Sequence, residues 1–329
     1  MDKKDLRKKN LELLREALRR LRQASKPRLA SETGLSVVTV NALMQTLLDT
    51  KEAEAVEEAV SIGGRPARQF RFCGERRMAL ACYMYEEAGR HKMMVFLVNL
   101  LGEIVEQREI YPKDVTKDIF PGNLGPILKE YPRIALAVVG MPGTEVNGTL
   151  EVVDYPALKG MPFSKWLSAE LNRPVYFTNS IHAAVAGSAN LFGETVVEET
   201  VVGVYWPGST PPEAAILLGG KLYKGRDGIA GEMGHRFQKE WQPPRDAVRE
   251  AARVVTLMTK TWNPHGMILY HEKLSMGDLP RIMELCSREL PAKFLPTIVI
   301  RPDILEDYGQ GVYALAEEYL EHGRASSWR

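Results

Sequence analysis

The apolar residues of this chain change their period near residue 75, and that change constrains the fold more than any other feature. Up to about residue 48 they return every third or fourth position, the spacing of helices with one buried face. From Met78 onward, short apolar runs of strand length alternate with helical stretches, the pattern of an α/β layer structure. A chain of 329 residues has room for two or three compact units. The expectation is a small head over residues 1–74 and a larger α/β body over residues 75–329.

In the head, Leu6, Leu13, Leu14, Ala17, Leu18 and Leu21 recur at helical spacing, with Lys and Arg over most of the other face. This predicts an amphipathic helix over about residues 5–23. Pro27 can open a second helix, where its missing N–H costs little. Gly34 can close that helix in the left-handed conformation, and Ser36 can cap a third over residues 37–48 by accepting from its freed N–H groups. A short helix, a Gly-Leu-Ser turn and another helix make a helix-turn-helix, with Ala30, Leu35, Val40 and Leu43 or Leu47 as its small core. Ser36, Val37 or Val38, Thr39, Asn41 and Gln45 then fall on its outer side. Thr, Asn and Gln can hydrogen-bond base edges. Residues 55–62 and 69–72 read as a two-stranded ribbon. Its tip, Gly63-Gly64-Arg65-Pro66-Ala67-Arg68, presents Arg65 and Arg68, suited to phosphates or a narrow minor groove. The head is thus expected to be a winged helix-turn-helix that binds double-stranded DNA.

Charge points the same way. The net charge is only +1, but residues 1–72 hold 15 Lys and Arg against 10 Asp and Glu, while the remainder holds 28 against 32. A basic head on a mildly acidic body is the balance expected of a DNA-binding protein. Cys73, Cys82 and Cys286 are scattered, and fit neither a disulfide framework nor a clustered metal site. No apolar run reaches the roughly 18 residues of a membrane span. Met1-Asp2-Lys3-Lys4-Asp5 is not followed by the apolar stretch of a signal peptide. A cytoplasmic protein is expected.

In the body, residues 93–100 and 134–139 read as strands, the second ending in Gly140-Met141-Pro142-Gly143. Pro174-Val175-Tyr176-Phe177 leads into Thr178-Asn179-Ser180-Ile181-His182, and residues 201–206 and 214–218 form a strand pair. The most specific segment is Gly219-Gly220-Lys221-Leu222-Tyr223-Lys224-Gly225, followed by Gly228-Ile229-Ala230-Gly231-Glu232-Met233-Gly234-His235. With Val139-Gly140-Met141-Pro142-Gly143, Gly63-Gly64-Arg65-Pro66 and Trp262-Asn263-Pro264-His265-Gly266-Met267-Ile268, it resembles the ROK family, which groups sugar-responsive repressors with sugar kinases. The likeness is to the repressor branch, of the xylose-repressor and N-acetylglucosamine-repressor type. It implies an actin-like (ribonuclease H-like), two-lobed ATPase fold with a sugar site between the lobes. Lobe one would cover about residues 75–180, lobe two about 181–305, and a C-terminal helix about 308–322.

Departures from the family pattern separate regulator from kinase. Family kinases carry an Asp-Gly-Gly-Thr-like phosphate loop at the first strand of the body. This chain has Cys82-Tyr83-Met84-Tyr85-Glu86-Glu87, without glycines to let backbone N–H groups approach a phosphate and with two carboxylates to repel it. The second phosphate loop reads Pro207-Gly208-Ser209-Thr210-Pro211-Pro212-Glu213, where prolines remove donors. The family motif Glu-Asn-Asp-x-Asn, whose Asp is the general base, aligns with Thr178-Asn179-Ser180-Ile181-His182. Ser180 is no base near pH 7, and losing one costs about 10²–10⁴ in rate. The family's zinc cysteines are absent too, since no cysteine follows His235 before Cys286.

The resemblance still implies effector contacts at Asn179, Glu232 and His235, with Ser180 beside them. An amide, a carboxylate and an imidazole offer the mixed donors and acceptors that a polyol needs. The family's further sugar-binding Glu has no clear counterpart, and Glu250 is the candidate to replace it. The expectation is a homodimeric or homotetrameric repressor of sugar-metabolism genes. Its partners would be a DNA operator and a sugar or sugar-derivative effector. No catalytic residue, cofactor or metal is expected. Two alternatives stay open: a sugar kinase with rearranged ATP loops, and a DNA-binding dimer that has lost its ligand.

Overall fold

The computed structural model describes residues 3–56, 68–192, 199–207, 211–233 and 245–322. By internal contacts the chain divides into two units, residues 1–78 with 97–105, and residues 79–96 with 106–329.

The first unit holds α1 (Lys3–Leu21), β1 (Gln23–Ser25), α2 (Lys26–Thr33), α3 (Val37–Asp49), β2 (Ala53–Val56) and β3 (Gln69–Phe72). The three strands form one antiparallel sheet in the order β1-β3-β2. Helix α2 starts on a Ser25 cap whose hydroxyl accepts from Arg28 N, and it ends at Gly34 with φ 69°. Helix α3 starts on Ser36, whose Oγ accepts from Thr39 N at 3.1 Å. The core is Leu14 and Leu18 of α1, Leu29 of α2, Val40, Leu43, Met44 and Leu47 of α3, and Phe70 and Phe72 of β3. Ala30 and Leu35, expected inside, pack half-buried at its edge. Leu6 and Leu13 share the helical spacing of Leu14 and Leu18 but are exposed. The first ribbon strand begins at Ala53, two residues before the expected start, and residues 57–62 of the expected strand lie outside the described residues. The ribbon tip with Arg65 lies outside the described residues.

The second unit opens with β4 (Met78–Glu87), β5 (Arg90–Asn99), β6 (Ile104–Ile110), α4 (Ile119–Glu130), β7 (Ile134–Met141), β8 (Gly143–Val146), β9 (Thr149–Val153), α5 (Phe163–Leu171), β10 (Val175–Asn179) and α6 (Ser180–Gly187). It continues with β11 (Thr200–Tyr205), β12 (Glu213–Leu218), β13 (Lys221–Leu222), α7 (Ala247–Trp262), β14 (Gly266–Tyr270), α8 (Leu279–Cys286), β15 (Thr297–Arg301) and α9 (Leu305–His322). Two five-stranded sheets result, β10-β7-β4-β5-β6 and β13-β12-β11-β14-β15. Counted from its own first strand, each runs in the order 3-2-1-4-5, from one edge or the other. In each, three successive strands are followed by helix-linked parallel ones: β7 with β10, and β11 with β14 and β15. The same plan is therefore built twice, with the small β8–β9 hairpin inserted in the first copy.

Helix α6 is held between the two copies. A Cβ at Gly311 of α9 would stand 1.9 Å from the carbonyl of Ala183, so only a glycine lets the two backbones meet. At the far end of α6, Ser188 Oγ lies 3.0 Å from Tyr270 Oη, which donates to Asp307 Oδ2 at 2.9 Å. Arg301 Nε faces the same carboxylate at 3.1 Å. A buried carboxylate is kept charged at acceptable cost only with such partners.

Candidate functional site

In open α/β sheets the crevice beyond the carboxyl ends of the parallel strands is where ligands bind. Here Asn179 ends β10 and caps α6, its Oδ1 accepting from Ile181 N at 2.8 Å and His182 N at 3.5 Å. Its Nδ2 donates to Thr144 Oγ1 at 3.2 Å, and Thr144 donates to Glu232 Oε1 at 2.7 Å. Glu232 Oε2 is buried and has no partner among the described residues. The chain Asn179–Thr144–Glu232 thus joins the first copy of the fold to the loop after β13.

Beside it lies a cavity of about 150 Å³ whose walls include Thr144, Glu145, Thr178, Asn179, His182 and Lys224. Glu145 accepts from Ser164 N and Ser164 Oγ, both at 2.9 Å. Burial, with the nearby charge of Lys224, pushes the His182 imidazole down to about 3, so it is neutral at pH 7. Burial lowers the Lys224 ammonium as well, while Glu145 opposes that shift. The cavity presents an amide, hydroxyls, a carboxylate and an ammonium, the mixed set that a small polyol can satisfy.

Proton abstraction is another matter. His182, its imidazole pushed down to about 3, is a weak base, far from the value near 7 at which proton transfer is most effective. Ser180 is buried and does not line the cavity. Pro211 and Pro212 are buried at the second phosphate-loop position, and Glu213 follows them. Ala214 N donates to Gly231 O at 2.8 Å, which lays Glu213 alongside Glu232. Burial, with the charges of Glu232 and Asp154, pushes the Glu213 carboxyl up to about 8. At the first phosphate-loop position, residues 82–87 are continuous strand, and Ala88 and Gly89 close the hairpin with φ 50° and 74°. Two positive φ values make a two-residue turn, which is too tight to wrap a phosphate.

Zinc does not fit the described residues. Among the described residues no group of three or more His, Cys, Asp or Glu could hold a metal ion. Cys286 sits inside, donating to Ala252 O at 3.4 Å. Glu250 has both carboxylate oxygens on Arg253 of its own helix, at 2.7 and 3.0 Å. His235 lies outside the described residues. Of the predicted effector residues, the structure brings Asn179 and Glu232 together. Thr144, which links them, is 35 residues from Asn179 and 88 from Glu232, and no local pattern marks it. Lys224 lies within the glycine-rich segment 219–225, where no local pattern marks it as a site residue.

In the first unit, Ser36, Val37, Val38, Asn41, Ala42 and Gln45 are exposed along the start and outer side of α3. Thr39, predicted there too, is half-buried, its Oγ1 2.9 Å from Ser36 Oγ. Gln45 Nε2 donates to Asp49 Oδ1 at 2.8 Å. Lys26 Nζ and the Arg68 guanidinium stand over the Phe70 ring, 5.2 and 5.9 Å from its centre. Among the described residues no helix is long and apolar enough to cross a membrane.

Residues 86–286 match the ROK family. The chain belongs to that family. It is 24% identical over 246 residues to the xylose repressor of Bacillus subtilis (strain 168), covering 71% of this chain and 62% of that protein. The match thus spans less than two-thirds of that relative's length. Among solved structures, a ROK family transcriptional regulator, a homolog of the E. coli MLC protein, superposes with TM-score 0.56 at 15% identity, covering 94% of this chain and 99% of that one. The ROK hexokinase from Thermus thermophilus gives TM-score 0.56 at 17% identity, covering 74% and 98%. At such identities the two structures speak for the fold, an α/β sugar-kinase-like ROK fold.

Proposed function

We propose that this chain is a DNA-binding transcriptional regulator, a repressor of sugar-metabolism genes acting in the cytoplasm. Residues 1–74 serve as a winged helix-turn-helix, and the ROK body serves for dimerisation and effector binding. The observation that carries this is α3: capped by Ser36, anchored by four fully or nearly buried side chains, and open along its outer side. Its relation to α2 across the Gly34 turn suits a recognition helix lying in the major groove. Lys26 and Arg68, with Arg65, are suited to phosphates. The likeness to a xylose repressor supports the same reading.

The effector is a small polyol held by Asn179, Glu232 and the cavity beside them, with His235 proposed as a neighbour; Ser180, buried away from the cavity, is not among its contacts. It shifts DNA affinity only insofar as it binds one arrangement of the body better than another. The test is an electrophoretic mobility shift with promoter fragments of the chain's own and neighbouring genes, repeated across a sugar panel. A retarded band that competes with specific DNA and is released by at least one sugar is expected. Shifts that any DNA competes away equally would overturn the reading.

A sugar kinase is the second reading, favoured by the hexokinase-like fold and the intact Asn179–Thr144–Glu232 chain. Glu86, Pro211, Glu213 and Ser180 weigh against it. A coupled ATP assay over the same panel separates the two, since turnover above background supports the kinase.

A further inference from the structure

The outer side of α3 has an unusual composition for a surface said to touch DNA. No Lys or Arg occurs anywhere in the helix. Val38 is 78% exposed, the highest fraction among the exposed large apolar residues described, and Val37 beside it is 47% exposed. A valine in that position contributes nothing to the core. Its branched side chain also loses rotamer freedom in a helix, so alanine would serve the helix better. Folding gives no reason for Val38.

Base chemistry gives one. Guanine is read chiefly by Arg or Lys at O6 and N7, adenine by the amide of Asn or Gln, and thymine by apolar contact with its C5-methyl group. The first of these is missing from α3. Asn41 is exposed with its amide available for adenine, whereas the Gln45 amide already donates to Asp49. Val38, Asn41, Ala42 and Gln45 follow one another at helical spacing along one side, and Val38 stands in the first turn, the part of a recognition helix that reaches base edges. The surrounding unit supplies the positive charge that holds a phosphate backbone, with 15 Lys and Arg against 10 Asp and Glu in residues 1–72.

We propose that Val38 reads thymine: its isopropyl group packs on a thymine methyl in the major groove and, with Asn41 on a neighbouring adenine, confines the base contacts of α3 to A·T pairs. This rests on the DNA-binding reading above.

The experiment first recovers a binding sequence by selection from a random DNA pool with the full chain. Each thymine of that sequence is then replaced in turn by deoxyuridine, which removes only the methyl group. Wild type should bind about fourfold more weakly at one thymine per half-site, the value of burying one methyl-sized group. Val38→Ala should bind thymine and deoxyuridine equally there, with an unchanged helical circular dichroism spectrum. Wild type insensitive to every methyl, or Val38→Ala retaining the full loss, would overturn the assignment of Val38 and leave DNA binding standing. Failure to recover any preferred sequence would overturn the DNA-binding reading, and this inference with it.

Discussion

Burial makes both Glu213 and His182 neutral at pH 7, by opposite routes. Glu213 keeps its proton because burial and the charges of Glu232 and Asp154 raise it from 4.5 to about 8. Between those values the folded chain holds a proton that the unfolded chain has released, so this group's contribution to stability falls as pH rises through that window. Glu213→Gln should therefore raise the melting temperature most above pH 8, with the gain shrinking toward pH 4.5. Circular dichroism melts across that range check it; a gain independent of pH would contradict the cause given. His182 is lowered from 6.5 to about 3. Here the unfolded chain binds the extra proton, and stability is lost as pH falls from about 6.5 toward 3. Gly231 places Glu232: with φ 98°, a Cβ there would lie 1.9 Å from the carbonyl of Ala214. Gly231→Ala should cost about 1–3 kcal/mol, read as a lowered urea midpoint. Asn179 and Glu232 were legible because they stand in short motifs. Thr144 was not, because its partners are joined to it only by the fold.

At the scale of elements, the helices were legible where local chemistry decides them. Gly34 and Ser36 mark the end of α2 and the start of α3 because left-handed backbone and side-chain capping are properties of single residues. Ser36→Ala should cost about 1 kcal/mol in the denaturant unfolding of the first unit, and Ser36→Asp should recover most of it. An unchanged midpoint for Ser36→Ala would mean that the cap contributes nothing. Which positions α1 buries was less legible: Leu14 and Leu18 are inside, yet Leu6 and Leu13 are exposed. Spacing shows that a face exists, but the partners decide how far along the helix it is covered. The three-residue β1 and the β8–β9 hairpin are not legible, because such short segments carry too little pattern. The absence of a phosphate loop at β4 was legible in its composition, and the two-residue turn at Ala88 and Gly89 gives the geometric reason.

At the scale of the molecule, the body is one plan built twice, 3-2-1-4-5 in each sheet. That repetition is invisible in the sequence because strand order is a matter of long-range pairing, and residues 86–286 instead reveal the family through motifs. What the ROK body keeps is a small polar cavity. What it lacks at the described positions is an adequate base, backbone donors for phosphate and a zinc ligand set. On the proposed reading the head binds DNA, with electrostatic contacts carrying much of the affinity. Arg68→Ala should weaken binding across all sequences and make the salt dependence shallower by about one phosphate contact; an unaltered slope would remove Arg68 from the interface. The most direct measurement is fluorescence anisotropy of the full chain on a selected sequence and on its scrambled counterpart, from low to physiological salt. The proposed reading requires tighter binding to the selected sequence at every salt concentration, with affinity falling steeply as salt rises. Equal affinity for both sequences, or no binding to either, would contradict it.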